Sequence, residues 1–384
     1  MAKSPAHPTF ADNLRAEAPL IIGWITTAIF FTVGKGWTED FSNLALTGAE
    51  FVWLLVAMIW CAFGVVRHAE IVADYLGEPY GTLILTVSVI AMEVAIMATV
   101  MLQGEPNPTL PRDTVYAVLM IVLNGMVGVA VVIGALRHHQ QQYNLQGATA
   151  FLAVISCLAV ISLVLPAFMV SMPGPVMTPL QAVVFGVLTA SLYVGFLMIQ
   201  TTRHWAFFLE TPSKRLARAD AADAPLPHDV HGPKNSLGYH LALLVLTLVP
   251  VVLLAKPLAN LMDYGLEQLK APVALGGVVI AALVLTPESL SAFQAAAHNQ
   301  MQRAVNLLLG AALSTIGMTI PVMLMISLIV GTPLQIGLPP AETALLILTL
   351  FISQMTFSGV PTNILIGGVH IVLFVVFVVM IFQP

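Results

Sequence analysis

The sequence predicts an all-α polytopic membrane protein with about eleven transmembrane helices, arranged as two inverted five-helix repeats preceded by one additional helix. Hydrophobic residues make up 58% of the 384 residues and charged residues only 9%, whereas charged residues are roughly a quarter of an average soluble domain. Apolar stretches of about 20 residues, the length that crosses a bilayer as a helix, recur along the whole chain. A single long polar segment interrupts them.

The N-terminus is polar, and the apolar stretch that follows it is too long for the core of a signal peptide, so we interpret it as the first span. The remaining spans follow at short intervals. The predicted spans lie near residues 18–34, 45–66, 81–102, 114–136, 148–171, 179–201, 237–255, 272–296, 304–330, 341–358 and 362–382.

The polar segment divides the chain after the sixth span. We therefore expect an N-terminal segment with the first helix (1–44), repeat one (45–202), a polar cytoplasmic loop (203–236) and repeat two (237–384). Because a repeat of five spans crosses the membrane an odd number of times, its second copy begins on the opposite side of the membrane from the first. Inverted repeats of this kind are common in secondary transporters, which bind their ions near the midplane where the repeats meet.

Basic residues predict the orientation, because positively charged loops remain in the cytoplasm. With the N-terminus inside, the cytoplasmic segments hold ten of the 14 Lys and Arg residues, and the outer segments hold Lys35, Arg112, Lys256 and Lys270. The N-terminus is therefore predicted to be cytoplasmic and the C-terminus periplasmic.

Glu93 and Glu288 lie in the interior of apolar spans, and they are the predicted ion- and proton-binding residues. Glu93 lies on the second span of repeat one and Glu288 on the second span of repeat two. An ionisable residue at membrane depth is costly and by default marks an ion or proton path. Inverted helices entering from opposite faces would bring the two carboxyl groups to one depth. The alternative is that both are structural carboxyls satisfied by neighbouring helices.

Further oxygen ligands are expected near the two glutamates. Pro287 cannot donate a backbone hydrogen bond, so the helix should kink or break and leave the carbonyl of Leu283 available to a cation. Glu78, at the start of the same span as Glu93, is either a cytoplasmic gate or a solvated carboxylate at a helix end. The remaining candidate ligands are Thr86, Ser88, Thr286 and Ser289 on the glutamate spans and Asn124 and Ser314 on the spans that follow, where an interhelical hydrogen bond is the alternative role.

The chemistry predicted for this site is competition between protons and cations. Burial favours the neutral form of a carboxyl group, and a second carboxyl nearby adds to the cost of ionisation. Oxygen ligands suit Na⁺, K⁺ and Ca²⁺ rather than metals that seek thiolate or imidazole. The expected function is secondary active cation/proton antiport without a cofactor, and a cation channel with an acidic filter is the alternative. No zinc-ligating or nucleophile motif of an intramembrane enzyme is present.

Several stretches of the sequence resemble a known family. They are Gly77 to Thr86 leading to Glu93, Arg112-Asp113-Thr114 with Leu123 to Gly128, Arg137-His138-His139 with Asn144 to Gly147, and Pro287-Glu288-Ser289-Leu290 with Asn299-Gln300 and Asn306-Leu307. Together they resemble the ChaA-type bacterial cation/proton antiporters of the calcium/cation antiporter superfamily, near the vacuolar cation/proton exchangers. The resemblance covers nearly the whole chain.

This resemblance implies exchange of Ca²⁺, Na⁺ or K⁺ for H⁺ across the bacterial inner membrane, with the signature glutamate of each repeat at Glu93 and Glu288. The glycine and asparagine that usually precede that glutamate are replaced by Val89-Ile90 and Val284-Leu285, which implies a looser site completed by water. The expected partners are metal cations, protons and the lipid bilayer, and no nucleic acid. The sequence leaves open the preferred cation and the oligomeric state.

Overall fold

A computed structural model describes residues 16–37, 41, 43–77, 80–103, 107–210 and 236–383. Within them the chain forms eleven helices of ten residues or more, which we number in order. They are α1 (Ala18–Phe31), α2 (Leu44–Leu76), α3 (Tyr80–Gln103), α4 (Leu110–His138), α5 (Leu145–Phe168), α6 (Pro179–Thr201), α7 (Leu237–Gln268), α8 (Ala274–Ala297), α9 (Met301–Val330), α10 (Pro340–Thr356) and α11 (Ile364–Phe382).

The prediction of an all-α polytopic membrane protein is confirmed. Among the described residues, nine helices are long and apolar enough to cross a membrane, and α1 and α10 are shorter apolar helices of 14 and 17 residues. Apolar side chains cover much of the outer surface of the bundle, as on the exposed faces of α6 and α11. A bilayer is the solvent that such a surface requires.

Side-chain caps at helix starts explain where several helices begin. A cap accepts a hydrogen bond from a backbone N–H that has no partner within the first turn of the helix. Thr178 and Gln181 form a reciprocal capping box at the start of α6. The other side-chain caps are Asn43 before α2, Asn144 before α5, Ser236 before α7 and Asn363 before α11.

The first helix of each repeat is much longer than predicted. The spans expected at 45–66 and 237–255 are the starts of α2 and α7, which have 33 and 32 residues. Hydropathy falls where charged residues begin, but a helix continues past that point when its side chains find partners. The last turns of α2 carry His68, which is buried against α7 rather than exposed in a loop.

Helix packing follows the pairing expected of inverted repeats. The first helices, α2 and α7, pack against each other. Each glutamate helix packs against the third helix of the other repeat, so that α3 contacts α9 and α8 contacts α4. The fifth helix of each repeat also packs against the third helix of the other repeat, since α6 contacts α9 and α11 contacts α4. The glutamate helices are thereby brought to the centre of the molecule.

A short π-helical segment interrupts the third helix of each repeat. These segments are Ile121–Met126 in α4 and Thr315–Thr319 in α9. Single π turns inside α-helices occur frequently at functional sites, because they redirect the side chains of one turn. Both segments contact a glutamate helix, α8 in one case and α3 in the other.

The additional helix α1 lies in a groove between α2 and α7. Small residues permit this close approach, since a Cβ atom on Gly23 would lie 2.5 Å from Sγ of Cys61, and one on Gly64 would lie 2.9 Å from Cβ of Pro19. The indole of Trp24 donates a hydrogen bond to the carbonyl of Leu246. Helix α1 therefore contacts the first helix of both repeats.

Only part of the predicted polar loop lies within the described residues. Its first turn, Trp205–Phe208, is a 3₁₀ helix whose Phe208 is buried against Phe151 and Phe196. Residues 211–235 lie outside the described residues.

Candidate functional site

Glu93 is buried in the centre of the bundle and is bonded to two threonines of the opposite repeat. Its side chain is 3% exposed. Thr315 donates a hydrogen bond of 2.8 Å to Oε2, and Thr319 donates one of 2.9 Å to Oε1. The threonines are four residues apart and therefore share a face of α9. Both oxygens of the carboxyl group accept a bond, which stabilises its ionised form.

Glu288 has a different environment. Its Oε2 atom is buried and has no hydrogen-bond partner. Helices α3 and α8, which carry the two glutamates, contact each other. No basic side chain forms a salt bridge with either glutamate in the described part of the chain. One carboxyl group therefore has both oxygens satisfied and the other has a buried, unpaired oxygen; the pairing of Glu93 with Glu288 stays a prediction.

The difference between the two glutamates follows from what the third helices carry. Thr315 and Thr319 follow Glu288 by the same intervals at which Met120 and Asn124 follow Glu93. A thioether at Met120 has no hydrogen to donate, unlike the hydroxyl of Thr315. The two halves thus have matching helices but unequal polar groups.

Asn124 is engaged on the side of α4 that faces the last two helices. Its amide nitrogen donates to Oγ1 of Thr349 at 2.9 Å, and its Oδ1 lies 3.4 Å from Nδ1 of His370. Nε2 of His370 in turn lies 2.8 Å from Oγ1 of Thr356. All four residues are buried. The structure therefore gives Asn124 the interhelical hydrogen-bonding role that the sequence offered as its alternative.

The hydroxyl groups predicted as ligands on the glutamate helices mostly donate to their own backbone. Ser88 donates to Ile84, Thr286 to Ala282 and Ser289 to Thr286. Each such oxygen keeps its lone pairs, and it remains a candidate ligand only if its helix turns it toward the carboxyl pair. Thr86 lies half-buried two turns before Glu93.

Ser314 lies next to the observed contact but is not part of it. Its hydroxyl donates to the carbonyl of Ala311 at 3.0 Å, and the neighbouring Thr315 makes the bond to Glu93. The sequence analysis missed Thr315 and Thr319. A signal was available, because they form an i, i+4 pair of hydroxyls in a mostly apolar span.

The expected break at Pro287 does not occur. Helix α8 runs without interruption from Ala274 to Ala297 with the proline inside it. Neighbouring helices in a membrane bundle can support a proline in this way. The proline still removes the regular donor for the carbonyl of Leu283, which keeps that oxygen a candidate ligand. Glu78, the candidate gate, lies outside the described residues.

Taken together, the site offers carboxyl and hydroxyl oxygens enclosed by apolar side chains. Val89, Ile90 and Met97 on α3 and Leu283, Val284 and Leu285 on α8 are all buried. Oxygen groups of this kind can bind hard cations, and carboxyl groups can hold protons. Within the described residues, no group of three or more His, Cys, Asp and Glu side chains is arranged to hold a metal ion.

Comparison with known proteins agrees with this architecture. The family described as "Sodium/calcium exchanger protein" matches residues 48–202 and 239–383, which are the two sets of five helices. The chain is similar to the "Putative ionic transporter y4hA" of Sinorhizobium fredii (strain NBRC 101917 / NGR234), with 43% identity over 83% of this chain and 84% of that protein.

It is also similar to the "Sodium-potassium/proton antiporter ChaA" of Escherichia coli (strain K12), with 34% identity over 95% of this chain and 96% of that protein. Among solved structures, native YfkE superimposes with a TM-score of 0.71 at 16% identity, covering 95% of this chain and all of that one. At that identity the likeness concerns the fold. The sequence match over both repeats and the shared fold show that this chain belongs to the sodium/calcium exchanger protein family.

Proposed function

We propose that this protein is a secondary active antiporter that exports Na⁺, K⁺ or Ca²⁺ in exchange for H⁺, using Glu93 and Glu288 as its shared binding site. One observation carries the proposal: Glu93 and the Oε2 atom of Glu288 are buried at corresponding positions of the two repeats, on helices that contact each other, and neither forms a salt bridge among the described residues. Two ionised carboxylates in such a place are costly, and either protons or a cation can neutralise them.

Antiport follows from this competition. The pair is neutralised by a cation or by protons, and the empty dianion is too costly to change its access from one side to the other. Each time the site changes from inward to outward access, or back, it therefore holds either a cation or protons. In inverted-repeat transporters such conversion is largely a rigid movement of one bundle against the other around a fixed midplane site.

The oxygen ligands and the relatives support the choice of ions. Carboxyl and hydroxyl oxygens suit hard cations. The name of ChaA specifies sodium, potassium and protons, and a second structure of YfkE is described as a Ca²⁺/H⁺ antiporter. We extend these ions to this protein as candidates. We place it in the bacterial inner membrane, with the N-terminus cytoplasmic and the C-terminus periplasmic, from the distribution of its basic residues.

Reconstituted vesicles test the proposal. Purified protein is placed in liposomes that enclose a pH-sensitive dye, a pH gradient is imposed, and Na⁺, K⁺ or Ca²⁺ is added in separate experiments. An antiporter dissipates the pH gradient only when a transported cation is present. Glu93→Gln and Glu288→Gln should each abolish this response, whereas the control Glu50→Gln, which alters another buried carboxyl on α2, should retain it.

Two results would contradict the proposal. Full exchange in both glutamine variants would remove the carboxyl pair from the mechanism. Cation flux that is independent of pH and driven by voltage alone would instead indicate the alternative, a channel with an acidic filter.

A further inference from the structure

A cluster of titratable side chains lies at the end of the bundle where α1 begins, well away from the carboxyl pair. Nε2 of His68 lies 3.0 Å from Oε2 of Glu17, and Nδ1 of His68 lies 3.2 Å from Nδ1 of His240. His68 and His240 are 1% and 3% exposed. Three buried or half-buried groups thus form a continuous hydrogen-bonded row.

The row joins three separate parts of the chain. Glu17 immediately precedes α1, His68 is in the last turns of α2, and His240 is in the first turn of α7. Arg67 fixes one end of the row, because it bonds to the carbonyl of Ala16 and forms a salt bridge with Glu17. The cluster therefore links the additional helix to the first helix of each repeat.

The hydrogen positions in the row follow from the charge of Glu17. Burial acts to raise the pKa of Glu17, but the hydrogen bond from His68 and the positive charge of Arg67 act in the opposite direction and lower it overall. An ionised carboxylate only accepts hydrogen bonds, so Nε2 of His68 carries a hydrogen. Neutral His68 then accepts at Nδ1, and Nδ1 of His240 must be the donor.

This assignment leaves Nε2 of His240 as a bare lone pair. That atom is buried and has no hydrogen-bond partner. An unpaired acceptor in a buried place is costly, and this lone pair is the position at which the row can take up a further proton. The four ring nitrogens hold two hydrogens in the neutral pair and three after one proton is added. Either state keeps a hydrogen bond between the two Nδ1 atoms, whereas a fourth hydrogen would set two donors against each other.

We propose that Glu17, His68 and His240 form a second proton-binding site, distinct from Glu93 and Glu288, that binds one proton and thereby restrains α1, α2 and α7 relative to one another. The added charge is balanced by Glu17 through His68. Charge-assisted hydrogen bonds are stronger than neutral ones, so protonation tightens the link.

A proton suits this site better than a metal ion. Metal sites use at least three protein ligands in most structural and catalytic cases, and the described residues offer no such group here. The other groups that face the cluster are Arg67 and Tyr75 on α2 and Tyr239 on α7. Tyr75 and Tyr239 contribute rings that pack beside His240 and not a further charge at neutral pH.

The consequence for transport rests on the proposed antiport function. Helices α2 and α7 pack against the glutamate helices α3 and α8, so a movement that changes access to the carboxyl pair must shift these contacts. A tightened link at their ends should slow that movement. We expect acidification on this side of the membrane to reduce the transport rate beyond the effect of competition at the glutamates.

Nuclear magnetic resonance tests proton binding without any transport. In protein labelled with ¹⁵N-histidine, the His68 and His240 signals, assigned with His68→Gln and His240→Gln variants, should identify Nδ1 as the protonated nitrogen of His240 at high pH. Both sets of signals should shift together at a single midpoint as one proton binds. Two neutral rings with unchanged signals from pH 5 to 9 would overturn the site.

Transport measurements then test the restraint. The rate of His240→Gln divided by that of the wild type should rise as the pH falls through the midpoint found by resonance, and should stay near one at alkaline pH. His68→Gln should behave alike, and His298→Gln, an exposed histidine at the same end of the bundle, should match the wild type throughout.

The two measurements separate the possible failures. If the resonance signals titrate, but the transport rate of His240→Gln divided by that of the wild type stays constant or falls as the pH is lowered, the proposed restraint is overturned. Absence of any proton-driven exchange in the wild type would refute the proposed function, and the resonance experiment would still decide whether the cluster binds a proton.

Discussion

Replacing Thr315 or Thr319 by valine should weaken cation binding without disturbing the fold. Valine has the shape of threonine without its hydroxyl group. Each substitution removes one of the two hydrogen bonds that Glu93 accepts and leaves a buried carboxylate oxygen without a partner. In the proposed mechanism a cation binds the ionised carboxylate, so any loss of stabilisation of that form should appear as weaker binding.

The magnitude follows from the kind of bond removed. A hydrogen bond to a charged group contributes about 1.5–3 kcal/mol. Each 1.4 kcal/mol is a factor of ten in an equilibrium constant, so either substitution should raise the cation KM by about 10- to 100-fold. The double variant should approach the inactivity of Glu93→Gln, because both carboxyl oxygens then lack a donor.

Initial rates of exchange in reconstituted vesicles, measured against cation concentration at fixed pH, give the KM directly. Thr315→Ser and Thr319→Ser retain the hydroxyl and should remain within a few-fold of the wild type. Thr343→Val, at the start of α10 and away from the site, serves as a control for the loss of a threonine hydroxyl. An unchanged KM in both valine variants, or equal losses in the serine and valine variants, would refute this account of Glu93.

Three further outcomes are expected. Gly277→Ala should lower the thermal unfolding midpoint and the transport rate, because its Cβ would lie 2.8 Å from the backbone nitrogen of Thr114. Overpacking of this kind costs about 1–3 kcal/mol, and Gly310→Ala, where nothing lies within 4 Å, should have no such effect. Asn124→Leu should destabilise the protein by about 1–3 kcal/mol, since its buried partners lose their bonds; an unchanged midpoint in a thermal scan would contradict this. The lowered pKa of Glu17 should contribute stability that is complete above its ordinary value of 4.5 and is lost as the pH falls below it, so Glu17→Gln should unfold with less pH dependence between pH 5 and 3 than the wild type.

The two candidate glutamates were easy to find because the bilayer makes the signal simple. A carboxyl group in the interior of an apolar span is costly, so Glu93 and Glu288 are conspicuous in the sequence alone. Their correspondence follows from counting spans on either side of the polar segment. The packing of α3 against α9 and of α8 against α4 agrees with the inverted arrangement inferred from that count.

The partners of those glutamates were not predictable in the same way. Serine, threonine and asparagine are common in membrane helices, where they bond to their own backbone or across helices. Ser314 and Thr315 are neighbours on α9, and of the two it is Thr315, the first residue of the π-helical segment, that bonds to Glu93. Hydropathy cannot distinguish between two adjacent hydroxyl residues.

The lengths of α2 and α7 and the cluster of Glu17, His68 and His240 show a second limit. His68 looks like a polar residue beyond the end of a span, yet it is buried because α1 and α7 cover it. Residues that are 51 and 172 positions apart in the chain form this contact. The hydropathy pattern along a segment indicates which residues prefer lipid or water, but it does not indicate which distant residues will contact one another.

The amino-acid sequence by itself determined the number of helices and predicted the division into two sets of five and the two acidic candidates, since each of these depends on transfer between water and lipid along one segment at a time. The tertiary structure decided which glutamate is satisfied, which threonines satisfy it, and which histidines meet at the end of the bundle. Those outcomes depend on hydrogen bonds between segments, whose geometry exists only after the helices have packed.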